Sequence, residues 1–238
     1  MRRILALLTL ACLLPPLPAL AATGLPDKLE MVYTLKYGSL TAGNSTRSLE
    51  RQSDGSYRYT IHTLPTGIAR TFTRVEWFEE GTFRVVKNQV RPLSYLKYRK
   101  GSNKAHRHSA NVDWDRAQIL YGSGATVALP EHYQDQGSLV FALMLNPPTD
   151  AQVHSVQLNS GKKLSTYDYR FLRQEEIDTP FGRYKTLVIQ WSPHAPGKDD
   201  DIFTAWLAID RGYVPVKIVT QEKDKTVTLQ LQAIKGME

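Results

Sequence analysis

From Leu29 onward, apolar and polar side chains alternate with a period of two, the spacing at which successive residues of an extended chain point to opposite faces. Leu29, Met31, Tyr33, Leu35 and Tyr37 alternate with Glu30, Val32, Thr34 and Lys36. Near the carboxyl end, Val227, Leu229, Leu231 and Ala233 alternate with Thr226, Thr228, Gln230 and Gln232, as in a strand with one face on a core and the other in water. Between these ends the same rhythm predicts strands near 40–51, 56–63, 68–79, 82–90, 93–100, 104–112, 153–158, 164–177, 184–192, 202–209 and 213–222. The runs are punctuated by Ser53-Asp54-Gly55-Ser56, Glu80-Gly81, Gly101-Ser102-Asn103, Asn159-Ser160-Gly161, Pro180-Phe181-Gly182 and Asp210-Arg211-Gly212. Gly, Asn and Asp tolerate the positive φ that tight hairpins need, and links this short make neighbouring strands antiparallel.

One stretch departs from the rhythm. Gly137 to Leu145 is almost wholly apolar, begins with Ser138 in the position of a cap, and is stopped by Asn146-Pro147-Pro148. It predicts a short buried helix that closes one end of the sheet. No linker, low-complexity stretch or internal repeat divides the chain. About a dozen long strands cannot stay flat, because twist accumulates and open edges aggregate. The expected fold class is therefore all-β: one antiparallel rolled sheet or barrel-like domain with one short helix.

The amino terminus changes the picture of where this domain works. Arg2 and Arg3 precede the apolar run Ile4 to Leu14, then Pro15-Pro16-Leu17-Pro18 and Ala19-Leu20-Ala21. This is the pattern of a secretory signal peptide over residues 1–21, cleaved after Ala21, with Ala22 as the alternative site. The apolar run is about half of the roughly 20 residues a spanning helix needs. Thr9 stands where a lipobox wants Leu, so Cys12 is read as filler of the apolar region. The expectation is a periplasmic protein, residues 22–238. Removing residues 1–21 from 238 leaves 217, and losing Arg2 and Arg3 lowers the net charge from +7 to +5. The mature chain then has no cysteine, hence no disulfide, thiolate nucleophile or Cys-based zinc site. No later stretch has the 18 consecutive apolar residues of a membrane helix.

The candidate chemistry is sparse. Gly122-Ser123-Gly124 lacks the strand-to-helix context of a nucleophile elbow and reads as a loop, and no phosphate-cradling glycine loop is present. Asp199-Asp200-Asp201 lacks the glycine and distal glutamate of a calcium loop. A pair of glycosidic carboxylates would require the fold to join Glu79 or Glu80 with Glu175 or Glu176, and their spacing gives that no support. His106 and His108 share a strand face and could chelate, but Lys97, Arg99 and Lys104 crowd them with positive charge. We therefore expect no catalytic residue, no metal, no cofactor and no enzyme activity.

Gly81 to Val112 is more informative, because it holds Arg84, Lys87, Arg91, Lys97, Arg99, Lys100, Lys104 and Arg107 and no acid. A tight turn at Gly101 to Lys104 would set Arg99 opposite His106 and Lys97 opposite His108, and like charges opposed across a ladder invite an anion. Lys97, Arg99, Lys104, His106 and His108 form a candidate anion site for lipid head groups or an acidic envelope polymer, set against the plainer reading of solvated surface charge. Export excludes nucleic acid as a partner and leaves, at most, a peripheral relation to a membrane. Tyr33, Leu35, Tyr95, Tyr167, Tyr169 and Phe171 would line the concave face of a roll. They would either fill its core or surround an apolar pocket for an acyl chain.

Six short motifs in order resemble the exported bacterial family called domain of unknown function 3108. They are Tyr37-Gly38-Ser39-Leu40-Thr41-Ala42-Gly43, Val90-Arg91-Pro92-Leu93, Asp113-Trp114-Asp115, Asp135-Gln136-Gly137-Ser138-Leu139, Ile177 through Leu187 with its Thr179-Pro180-Phe181-Gly182 turn, and Trp206 to Asp210 with Val214-Pro215-Val216. Phe181 stands where the family pattern has a small residue. The resemblance implies an exported β fold without assigned catalytic residues, and no mechanism. Two functions fit: an envelope binding or accessory module for lipid or anionic polymer, and a structural or assembly protein without a small ligand. An apolar cavity opening near Lys97 and Arg99 would favour the first, and a filled core the second.

Overall fold

A computed structural model describes residues 24–102, 106–195, 201–222 and 225–237. The expected signal peptide and Lys104 lie outside the described residues. The strands are β1 (Lys28–Tyr37), β2 (Leu40–Arg51), β3 (Tyr57–Pro65), β4 (Glu76–Val86), β5 (Gln89–Lys100), β6 (Arg107–Asp113), β7 (Gln118–Tyr121), β8 (Thr126–Ala128) and β9 (Tyr133–Asp135), then β10 (His154–Asn159), β11 (Leu164–Thr179), β12 (Gly182–Pro193), β13 (Ile202–Ala208), β14 (Val214–Glu222) and β15 (Lys225–Lys235). Two helices interrupt them, α1 (Ala69–Phe72) and α2 (Leu139–Leu145).

All the strands join in one sheet, ordered β8-β7-β6-β5-β4-β3-β2-β1-β15-β14-β13-β12-β11-β10-β9, with the first and last strands, β1 and β15, paired at its middle. The fold is all-β, as the two-residue rhythm predicts. Every pairing is antiparallel except β9 with β10, which the long excursion through α2 makes parallel. The sheet rolls until β9 lies over β5, where the Gln134 side chain donates to the Val90 carbonyl at 2.9 Å. Tyr133 packs there with Ala110, Ile119 and Tyr121 of β6 and β7. Side chains, rather than a ladder of backbone hydrogen bonds, make this seam, so the barrel is not closed.

Register fixes what faces inward. One row across the concave face is Leu29, Leu49, Tyr59, Gly81, Tyr95 and Ala110. The next is Met31, Arg47, Ile61, Glu79, Lys97 and His108, and the one beyond is Tyr33, Ser45, Thr63, Trp77 and Arg99. The first row is core and the second carries charge. Besides the seam around Tyr133, the interior is filled in two larger clusters, one around Tyr33, Tyr59, Phe83 and Phe141, the other around Leu187, Ile189, Leu207 and Ile218. α2 spans them, giving Val140, Phe141 and Met144 to the first and Leu139 and Leu143 to the second.

Several local expectations need correction. The strand expected at 68–79 begins only at Glu76, because α1 and the loop after it occupy 69–75. Glu80-Gly81 is no turn. Gly81 lies mid-strand because a Cβ there would sit 2.5 Å from both the Tyr59 hydroxyl and the Ser94 carbonyl oxygen. The turn falls instead at Lys87-Asn88, both with positive φ, so β4 runs through the expected turn and β5 starts earlier than the expected 93–100. β7, β8 and β9 are too short to show a period in sequence. Ser138 makes no side-chain cap bond to α2, and Asp135 instead holds the amides of Gly137 and Ser138, which lead into the helix. A 3-10 turn at Ile209–Arg211 also supplements the single helix expected.

Candidate functional site

Between α2 and the strands lies a cavity of about 360 Å3. Its floor is Leu139, Val140 and Leu143 of α2, and its apolar walls include Trp191, Phe203, Ile218 and Leu229. The cavity reaches the end of the roll where Leu35, Thr63, Thr220 and Val227 are partly exposed at their strand ends. Two parts of the lining differ from the apolar rest: the second inward row brings Arg47, Glu79 and Lys97 into one wall beside Gln136, and Asp201 adds a carboxylate on the side of Phe203.

The charges on that wall are unequally satisfied. Lys97 Nζ pairs with Glu79 Oε1 at 3.2 Å and donates to Gln136 Oε1 at 3.0 Å. The Tyr95 hydroxyl donates to Glu79 Oε2 at 2.8 Å, and burial first, then the Glu79 charge, pushes the Tyr95 phenol far above its usual range. Among the described residues the Arg47 guanidinium meets the Tyr33 ring, 5.8 Å from its carbon. Among the described residues no carboxylate is within 4.0 Å of the Arg47 guanidinium, and its Nε is buried without a hydrogen-bond partner. A desolvated cationic donor with no partner is costly, which makes it a point where a ligand oxygen would be stabilised.

The basic hairpin takes the register expected of it. Lys97 pairs with His108, and the Arg99 amide donates to the His106 carbonyl at 3.1 Å. Two things differ from the expectation. The stretch lacks acids only along the chain, for β4 delivers Glu79 directly opposite Lys97. The histidines also face protein: His106 meets Trp77 and His108 edge-on, and the β10–β11 turn at Gly161 lies against His108. Desolvation first, then the charges of Arg99, His108, Lys97 and Lys162, lowers the His106 pKa. Arg99 stacks over Trp77 at 5.4 Å, with its Nε buried and without a partner among the described residues. Lys104, the fifth member, is outside the described residues.

The six aromatic and aliphatic candidates divide. Leu35 and Tyr167 line the cavity. Tyr33 is fully buried core whose hydroxyl donates to the Pro215 carbonyl at 2.8 Å, and Tyr95 is likewise buried. Tyr169 stacks on His154 and, away from the cavity, lines a second cleft of about 510 Å3. Phe171 packs on the second core cluster. The sequence reading does not single out Arg47, meets Gln136 only inside a family motif, and weighs Glu79 only as a glycosidic carboxylate. The available signal was the inward parity of 40–51, which reads Gly43, Ser45, Arg47 where a filled core wants apolar residues.

Other constellations do not assemble. Glu80 pairs with Arg58 on the outer face while Glu79 faces in, and Glu175 is held by Arg173 and the Trp206 indole N–H. His194 Nδ1 meets Asp168 Oδ2 at 2.7 Å, but Ser155 donates to the other oxygen of that carboxylate at 2.6 Å and so bonds the acid rather than the imidazole. Among the described residues no three His, Asp or Glu side chains converge as metal ligands.

The family model described as protein of unknown function (DUF3108) matches residues 32–232. The chain belongs to the DUF3108 family. No curated protein matches it. A solved structure similar to this DUF3108 chain is the β-barrel-like protein of domain of unknown function DUF1849 from Brucella abortus. The two share 9% identity at a TM-score of 0.64, with 91% of this chain and 100% of that chain covered. The likeness is one of fold. The Asp135-to-Leu139 motif that carried part of the DUF3108 resemblance now has a physical role: Asp135 Oδ1 accepts from the Tyr59 hydroxyl at 2.5 Å, the Gly137 amide at 2.9 Å and the Ser138 amide at 2.7 Å. It ties α2, the cavity floor, to β3. The second cleft lies on the far side of that floor, sharing Leu139 and Leu143 with the first.

Proposed function

We propose that this protein is an exported, non-enzymatic binding module of the cell envelope whose roll holds an amphipathic, negatively charged lipid. The acyl part lies against Leu139, Leu143, Trp191, Phe203 and Ile218, and the acidic head meets Arg47, with Lys97 and Gln136 adjoining. One observation carries the reading: an apolar cavity of about 360 Å3 has in its wall a guanidinium without a carboxylate partner. That volume is within the roughly 300–1,000 Å3 typical of pockets that bury a small ligand. Lys97 is already offset by Glu79, so Arg47 contributes most of the attraction for an anion. The leader-like residues 1–21 support export.

The test is native mass spectrometry of protein purified without detergent, followed by solvent extraction of whatever it retains. The wild type carries an acidic lipid as added mass, and Arg47→Met, close in volume but uncharged, loses most of it while staying folded. A ligand-free mass for the wild type, or retention unchanged by Arg47→Met, would refute the proposal and leave a structural or assembly role as the better account.

A further inference from the structure

The rim of the roll, at the end where the cavity opens, carries the three most exposed large apolar side chains of the described residues. Phe72 is 83% exposed, Ile68 66% and Leu40 65%. They come from separate segments that the fold brings together. Leu40 opens β2, and Ile68 and Phe72 bracket α1, which buries none of its residues. The Thr66 amide donates to the Ala42 carbonyl at 3.2 Å and holds the α1 segment beside the start of β2. On the other flank Gly101 of the β5–β6 turn sits against the Arg74 carbonyl, so close that a Cβ would come within 2.3 Å of its oxygen. The rim from β2 through α1 to the β5–β6 turn is thus one continuous surface.

Its charge points to the occupant. Arg70, Arg74 and Lys100 are exposed along this surface, while the nearby acid, Glu76, is taken up by His62 at 2.8 Å. Apolar side chains standing out of a basic rim are the pattern of a surface that settles at the boundary of head groups and acyl chains in an anionic bilayer. We propose that this rim docks on an anionic phospholipid membrane, with Leu40, Ile68 and Phe72 entering the interfacial layer and Arg70, Arg74 and Lys100 on lipid phosphates. Docked so, the cavity mouth faces the lipid. The inference goes beyond the proposed cavity ligand, for the rim would bind a bilayer whether or not the cavity is filled.

Flotation of the purified protein with phosphatidylglycerol–phosphatidylethanolamine vesicles, against vesicles of phosphatidylcholine alone, tests it. The wild type floats with the anionic vesicles only, and raised salt releases it. Ile68→Ser with Phe72→Ser lowers the bound fraction by about tenfold or more. Arg70→Gln with Arg74→Gln acts in the same direction. These rim side chains are exposed, so circular dichroism should show the variants folded. Absent flotation of the wild type, undiminished flotation of Ile68→Ser/Phe72→Ser, or sedimentation showing that this pair converts a dimer to monomers would overturn the proposal. The last result would assign the rim to a second copy of the chain.

Discussion

Asp135 has a carboxyl group buried completely, with one oxygen accepting three hydrogen bonds and the other, Oδ2, without a partner among the described residues. Burial is the larger influence and pushes its pKa up to about 6, although bonds from Tyr59 and Ser138 pull the other way. A carboxyl that is more basic in the folded state than in the unfolded one, where its pKa is about 3.9, holds its proton more tightly when folded. Its contribution to stability is therefore full below about pH 4 and is lost as the pH rises through about 6. Asp135→Asn keeps an oxygen for the same donors and cannot ionise. The unfolding free energy of the wild type minus that of Asp135→Asn should fall by about 2 kcal/mol between pH 4 and pH 7.5. Urea titrations at each pH measure it, and a constant or rising difference would contradict the assignment.

At the scale of elements, α2 is the piece on which the interior depends. A helix of seven residues has little intrinsic stability, and this one is apolar on every side. It persists because Phe141 sits in the first core cluster, with its ring centroid 5.7 Å from those of Tyr59 and Phe83, while Leu139 and Leu143 reach the second. Phe141→Ala removes the ring contacts with Tyr59 and Phe83 and should cost about 3–5 kcal/mol in urea unfolding. A loss below about 1 kcal/mol would mean that α2 is dispensable to the core. α1 is the opposite case. It buries nothing, so its residues are free to serve the rim.

For the whole molecule, the consequence of rolling rather than closing is an interior filled at two clusters and empty between them. Ala205 is 2% exposed on the cavity wall, with Ile189 and Ile218 as its cross-strand neighbours. Phenylalanine at this position would project its ring into the empty volume. Ala205→Phe should abolish retention of an acidic lipid in native mass spectrometry, while its stability cost stays within the roughly 1–3 kcal/mol of a tolerated overpacking. Retained lipid in a folded Ala205→Phe protein would place the ligand elsewhere.

Period-two alternation is a local property, imposed on each strand by water on one side and apolar side chains on the other, and so the all-β class, most strand positions and the hairpin of Lys97 with His108 could be read from residues alone. The six ordered motifs likewise led to the right family. The rest depends on neighbours that are far apart in the chain. Gly81 resembles a turn until Tyr59 is seen packed on it, and the acid-free stretch looks unrelieved until Glu79 arrives from β4. Whether Tyr33 and Tyr95 fill a core while Leu35 and Tyr167 face a cavity depends on how tightly the sheet curls and where α2 settles. Those are sums over contacts between distant strands, and no stretch of sequence contains them.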